Sequence, residues 1–439
     1  MFERLFRLSE NQTTARREVI GGFTTFLTMS YIIFVQPVIL SGAGMDRGAV
    51  MTATCLSSAL ATFLMAFLAN YPIAIAPAMG HNVFFAYTVC VGMNIPWPTA
   101  LGAVFVSGVL FILFSIFGVR KVIMDSVPES LKFGIAVGIG LMICLLGFQW
   151  AGVVVNDDVT LVRIGQMSRP YVWVSGLGLT ASMVLMCLNV RGAILFGIGV
   201  SAAAAAWLDL VTYQGVISAP PSLAPVWLAF QPLAALKLGL ATVIFTFFIL
   251  DLFDTMGTLV GVAELGGFMR NGELPRARQA FLADALGTAA GAALGTSTVT
   301  SYVESCSGIA DGARTGLASV VTGLLFLLSL IFYPLVEMLG KGIPTPAGNL
   351  VYPIIAPALI MVGFMMMRGV KHIPWENYTE SMPAFFTIVL IGFSFSITDG
   401  IAFGFISYTT LKLLTGRFRD VRPFMWLITA VFILRFVLG

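Results

Sequence analysis

The chain has 439 residues, of which 58% are hydrophobic and only 10% charged, against about 25% charged in an ordinary soluble domain. Mean hydropathy is +0.95, and 24 Lys and Arg against 21 Asp and Glu leave a net charge of +3. A water-soluble globule cannot hide so much apolar surface, which excludes a cytosolic enzyme, a secreted domain and a disordered chain; the balanced charge argues against nucleic acid as a partner, and only a lipid bilayer solvates such a composition.

The first 18 residues are charged and amphipathic, carry Arg4, Arg7, Arg16 and Arg17, and show no cleavable leader. Apolar runs free of Asp, Glu, Lys and Arg follow. They cover 19–45, the 72 residues between Arg47 and Arg120, then 133–156, 170–190, 210–236, 285–303, 315–336 and 342–367. A helix needs about 20 apolar residues to cross the bilayer. The long run therefore holds three spans, broken near Pro72, Pro77, Pro96 and Pro98, and the whole chain holds about fourteen. The last run, 423–438, is either a further span or an interfacial helix. Gly134-xxx-Gly138 and the alanines at 202–206 are small-residue faces for close helix packing. Cys55, Cys90, Cys144, Cys187 and Cys306 sit in apolar runs without a CxxC pair and read as small core residues.

Basic residues alternate between loops. Arg120 and Lys121, Arg191, Arg270, Arg276 and Arg278, Arg368 and Lys371, and Lys412, Arg417, Arg419 and Arg422 fall on the side of the N-terminus. The opposite loops carry fewer, such as Arg163 and Arg169 beside Asp157 and Asp158. The N-terminus is therefore expected in the cytoplasm.

The sequence also repeats. VSGVLFILFSIF (106–117) matches VTGLLFLLSLIF (321–332), TFLTMS (25–30) matches TFFILD (246–251) and places Ser30 opposite Asp251, and NVRGAILFGI (189–198) matches SITDGIAFGF (396–405). Order is kept, so two halves of about seven spans are expected. An odd number per half inverts the second, the architecture of many secondary transporters. The fold class expected is an all-α polytopic membrane protein of about 14 helices in two inverted seven-helix repeats, with short extended strands in the broken third and tenth spans.

In such folds substrate binds at the midplane, between interrupted helices. The first half offers YPIAIAPAMGHNVFFAYTV (71–89), where Pro72 and Pro77 forbid an ordinary helix, Ile73 and Ile75 alternate, and a half helix begins after Gly80. The second offers LGTSTVTSYVESCSGIADGARTG (294–316), with alternating Thr296, Thr298 and Thr300 and a half helix near Glu304. Ionisable groups at this depth cost about 2.5–3.5 kcal/mol and are functional candidates by default. Asp251 and Asp254 lie mid-run with i, i+3 spacing on one helix face, and Glu304 heads the second half helix. Each has a plain alternative: Asp254 as a partner of nearby backbone donors, Asp251 as a structural group, Glu304 as a cap. Asp209 and Asp284 lie nearer span ends and read as structural; Asp311 and Arg314 fall at a turn or membrane face. Asn82 is the polar counterpart in the first half. His81 beside it is either active or satisfied by a carbonyl, and His372 reads as surface.

Two distant histidines and scattered cysteines make no metal site, no cofactor is implied, and no GxxxxGK[ST] provides an ATP engine. Desolvation favours a neutral carboxylic acid, the requirement for proton coupling at Asp251 or Glu304. Met79, Phe84, Phe85, Tyr87 and Tyr302 suit stacking on a flat ring. No midplane Arg or Lys invites an anion.

The segments APAMGHNVFFAYT (76–88), LDLFDTMGTLVGVAE (250–264), GTSTVTSYVESCSGIADGARTGL (295–317) and TTFLTMSYIIFVQP (24–37) resemble the AzgA-like purine nucleobase permeases, a branch of the nucleobase–cation symporter 2 (nucleobase–ascorbate transporter) group. The resemblance runs over essentially the whole chain. It implies a core domain (19–130 and 236–337) beside a gate domain (131–235 and 338–439), following the cytoplasmic segment 1–18. It further implies elevator-like movement, a homodimer in the bacterial inner membrane, and uptake of adenine, guanine or hypoxanthine with protons. By this likeness Glu304, Asn82, Asp251 and Asp254 serve binding and transport, and Tyr302 and Val303 add ring and backbone contacts. His81 departs from the commonly apolar residue there, and Gln36 from the usual Asn. The roles expected are Glu304 accepting from ring N–H groups, Asp251 protonated in one state, Asp254 holding geometry, and Asn82 bonding from the facing half helix. Two rival readings are a sulfate-type anion permease of the same architecture, which would want a cation at the half-helix ends, and an intramembrane enzyme using Asp251 and Asp254 as a dyad.

Overall fold

The computed structural model describes residues 2–117, 126–237, 240–270, 274–346 and 348–438; Arg120 and Lys121 lie outside them. The chain is mostly helical. Among the described residues seven stretches are long and apolar enough to cross a membrane by length and composition: Ala15–Ser41, Arg47–Ala69, Trp97–Phe117, Glu129–Trp150, Pro170–Cys187, Ala241–Gly266 and Gly316–Gly340. Other apolar runs are built of shorter pieces, because proline, glycine and extended backbone interrupt them. Contacts divide the chain into two units, Met1–Ile116 with Gly147–Met361, and Phe117–Leu146 with Val362–Gly439.

In chain order the helices of the first unit begin with α1 (Phe2–Phe6), α2 (Ala15–Met29), α3 (Ile32–Ser41) and α4 (Arg47–Leu64), the last prolonged by a π turn, Met65–Ala69. Strand β1 (Ile75–Pro77) leads into α5 (Met79–Val83), which continues as the π turn Phe84–Gly92, and α6 (Trp97–Phe117) follows. Helix α7 (Glu129–Trp150) starts in the second unit and ends in the first. A hairpin of β2 (Val154–Asp157) and β3 (Leu161–Ile164), absent from the sequence expectation, precedes α8 (Pro170–Cys187) and α9 (Ala193–Trp207). Then come α10 (Pro232–Lys237), α11 (Ala241–Gly266), α12 (Ala277–Leu294), β4 (Val299–Ser301), α13 (Ser305–Ala310), α14 (Gly316–Leu328) and α15 (Tyr333–Gly340). A short pair, β5 (Ile343–Pro344) with β6 (Leu350–Val351), leads to α16 (Ala356–Met367).

Local chemistry sets the ends. Thr14 caps α2 by accepting from the Arg17 N–H, and Asp46 caps α4 by accepting from the Ala49 N–H. The α14 N-terminus is capped from a distance: buried Glu18 of α2 accepts from the N–H groups of Arg314 (2.8 Å), Thr315 (3.2 Å) and Ala318 (3.2 Å). Asn70, at φ +50°, accepts from the Gly316 N–H at 2.7 Å. Close approach of α2 to α13 requires glycine, since a Cβ at Gly21 would fall 2.7 Å from the Gly308 carbonyl.

The second unit is carried by the start of α7, the end of α16, α17 (Tyr378–Ser394), α18 (Ile397–Leu414) and α19 (Pro423–Leu438). The Gly134 and Gly138 face lies against α17: a Cβ at Gly134 would meet Ala384 Cα at 3.2 Å, and one at Gly138 would meet Ile391 Cβ at 3.0 Å. Buried Lys412 is satisfied by Glu380 at 2.8 Å and Asp420 at 3.4 Å, and Ser130 donates to Glu380 at 2.6 Å. The last apolar run, 423–438, is helical throughout. Of the cysteines read as core, Cys55 and Cys90 are buried, Cys144 and Cys306 are half-buried, and Cys187 is exposed at the end of α8.

Candidate functional site

The two interrupted segments singled out in the sequence lie side by side. β1 and β4 pair antiparallel, with Ile75 opposite Ser301, Ala76 opposite Thr300 and Pro77 opposite Val299. The ladder is extended by the Ala78 N–H donating to Thr298 O (3.0 Å) and the Tyr302 N–H donating to Ala74 O (2.9 Å). Gly295, at φ +95°, ends α12 and releases the chain into the extended run. A two-stranded ladder has two open edges, and buried backbone groups there need partners. Side chains supply them. Thr62 of α4 accepts from the Ile75 N–H (3.0 Å) and donates to Ile75 O (3.1 Å). Thr288 of α12 likewise accepts from the Val299 N–H (3.4 Å) and lies 2.8 Å from Val299 O. Tyr302 Oη donates to Pro77 O.

Four carboxylates stand around this pair. Asp251 on α11 is fully buried; its Oδ2 lies 3.0 Å from Thr288 Oγ1, and its Oδ1 has no hydrogen-bond partner. Asp254, one turn on and half-buried, accepts from Thr300 of β4 at 3.1 Å. It therefore reaches across to the strand rather than serving backbone donors of its own helix. Asp284 on α12 is fully buried and accepts from Thr255 (2.6 Å) and Ser301 Oγ (2.7 Å). Position near a span end does not account for Asp284: it anchors the strand edge inside the carboxylate cluster. Glu304, half-buried at the head of α13, makes no capping bond with its side chain; its Oε1 accepts from Tyr31 Oη at 2.8 Å. Val303 beside it is exposed. Among the described residues no Lys or Arg pairs with any of these four groups, and no cluster of three or more His, Cys, Asp or Glu is placed to hold a metal.

The remaining expected residues are placed differently. Asn82 is buried at the start of the first broken segment; its Oδ1 accepts from Ser297 Oγ and its Nδ2 has no partner. His81 is buried with Nε2 unpartnered. Ser30 is buried and satisfied by Leu27 O at 3.2 Å, Phe85 is fully buried, and Tyr302 is held by its bond to Pro77. His372 is exposed, and Asp311 and Arg314 sit in the turn between α13 and α14. Sequence reasoning missed Tyr31, Thr62, Thr288 and Thr300 as partners.

The family model Xan_ur_permease, described as Permease family, matches residues 16–403. A protein named "Putative permease MJ0326" from Methanocaldococcus jannaschii is 47% identical over 99% of this chain and 98% of its own length. "Adenine permease AdeP" of Escherichia coli strain K12 is 45% identical, covering 100% and 96%. "Guanine/hypoxanthine permease PbuO" of Bacillus subtilis strain 168 is 40% identical, covering 98% and 99%. Among solved structures, the transmembrane domain of the cyanobacterial bicarbonate transporter BicA superposes with a TM-score of 0.62 at 13% identity, over 89% of this chain and 97% of that one. That likeness concerns the fold alone.

Proposed function

The chain belongs to the Xan_ur_permease family and is an integral membrane transporter rather than an enzyme, and from that premise we propose that it imports purine nucleobases together with protons by elevator-type alternating access. Relatives of near-equal length named for adenine and for guanine and hypoxanthine support the substrate class. The observation that carries the reading is Glu304: half-buried at the head of a short broken-span helix and held by one phenol, with no cation paired to it among the described residues. A carboxylate so placed accepts from N–H groups of a neutral ring. Asp254 and the exposed Val303 are the adjoining contacts, and Asn82, with a free Nδ2, bonds from the first broken segment. Asp251 carries the transported proton; its unpartnered, fully buried Oδ1 is tolerable as part of a neutral acid and not as half of an anion. His81, Ser30, Phe85 and Tyr302 shape the pocket from behind.

Two further features support the architecture expected from sequence. Antiparallel pairing of β1 with β4, and the matching threonine clips from α4 and α12, are what two inverted seven-helix repeats produce about a local two-fold axis. The core domain is then 19–130 with 236–337 and the gate domain 131–235 with 338–439. The N-terminus lies in the cytoplasm and the unit of assembly is a homodimer. An anion-transporting reading has no cation for its substrate among the described residues of the carboxylate cluster.

Uptake of labelled adenine and hypoxanthine by cells lacking their own purine importers tests this. Wild-type uptake of at least one base should fall with a protonophore, and Glu304→Gln should lose it by about 100-fold, the cost of a charge-assisted pair of hydrogen bonds. Undiminished uptake by Glu304→Gln would remove the basis of the reading.

A further inference from the structure

The two threonine clips are alike except in one respect. Among the described residues Thr62 Oγ1 meets only Ile75, whereas Thr288 Oγ1 meets Val299 and also Asp251 Oδ2 at 3.0 Å. A hydroxyl has one proton and two acceptor positions. The Val299 carbonyl only accepts and the Val299 N–H only donates. The single proton on Thr288 therefore serves either Val299 O or Asp251.

With Asp251 protonated the arrangement closes: the acid donates to Oγ1, the Val299 N–H donates to Oγ1, and the Thr288 proton stays on Val299 O at 2.8 Å. With Asp251 ionised, the charge-assisted bond takes the Thr288 proton, and a fully buried carbonyl on β4 loses its donor. We propose that Thr288 is a positioning residue that relays the protonation state of Asp251 to strand β4, and along Tyr302 and Val303 to Glu304. This rests on the proton-coupled reading above. The first-half strand has no such input, because the Thr62 clip touches no titratable group.

Other titratable groups surround the relay: Asp254 on α11, Asp284 on α12, Tyr302 and Glu304 beyond β4, Tyr31 between α2 and α3, and His81 on α5. Asp254, Asp284 and Glu304 each already accept from a hydroxyl other than that of Thr288. Asp251 alone of the four shares its donor with the backbone of β4.

Hydrogen exchange of the purified wild-type chain, corrected for intrinsic rates and read from about pH 5 to about pH 8, tests the relay without relying on any variant. Protection of 297–303 should fall about fivefold to tenfold as pH rises, the worth of one hydrogen bond, while protection of 73–78 stays level. Asp251→Asn, whose amide can still donate to Oγ1, should hold 297–303 protected throughout. Thr288→Val should abolish the pH response and flatten the pH profile of purine uptake, Thr288→Ser should retain both, and Thr62→Val should lower uptake without changing its profile. A level wild-type response at 297–303, or a Thr288→Val pH profile equal to wild type, overturns the relay. If exchange behaves as stated but no purine enters, the substrate reading fails and the relay stands.

Discussion

A carboxyl group inside a span is held by the donors around it, and the four acids here are held unequally. Asp284 has a hydroxyl on each oxygen, Asp254 and Glu304 have one hydroxyl apiece, and Asp251 shares one with a carbonyl. Satisfied groups fix structure and under-satisfied ones are free to exchange a proton or a ligand. Tyr31 is the test of this at Glu304. Tyr31→Phe removes one donor and leaves the ring, so substrate affinity should change by about tenfold or less, with transport retained and expression unchanged; direct binding of labelled purine to the purified variant checks it. At this scale Asp251, Asp254 and Glu304 were legible because charge in an apolar run stands out. Their partners were not, because a Thr or Tyr in a membrane helix is ordinary and its bond to a residue tens or hundreds of positions away leaves no local pattern. Asp284, read as structural, does anchor a strand edge, but it lies in the middle of α12 and not near its end, because the charge-free run 285–303 is not the helix.

Between elements, the interruptions do the positioning. Proline and glycine stop helices at 72–78 and 295–298, the freed backbone pairs strand to strand, and two short helices start where the strands end. The extended character of both segments was readable from alternation and proline; their pairing with each other was not, since no short-range rule sets a register across more than 200 residues. The long-range cap by Glu18 was equally silent, looking like one more charge before the first apolar run. It joins α2 to the start of α14, just beyond the turn that follows α13. Glu18→Ala leaves three N–H groups without that acceptor and should cost about 2–3 kcal/mol, seen as a fall in thermal midpoint of about 5 °C. Glu18→Gln, which keeps one acceptor oxygen, should lose less. Equal midpoints for Glu18→Ala and wild type would mean that the cap contributes nothing to stability.

For the whole molecule, composition and three ordered segment matches in the sequence point to a polytopic transporter, and family membership agrees with that class. Among the described residues seven stretches are long and apolar enough to cross a membrane, against about fourteen spans expected from the sequence, and several of the seven are themselves broken, as at Ser30 and Tyr31 within Ala15–Ser41. Proton and purine are proposed to move together. Purified protein in sealed vesicles carrying an internal pH dye, with no imposed gradient and with potassium and valinomycin to collapse membrane potential, measures this directly. Adding adenine or hypoxanthine outside should acidify the lumen in step with entry of the labelled base, and Asp251→Asn should admit base without acidification. Entry of base into wild-type vesicles with no change in internal pH would contradict the account.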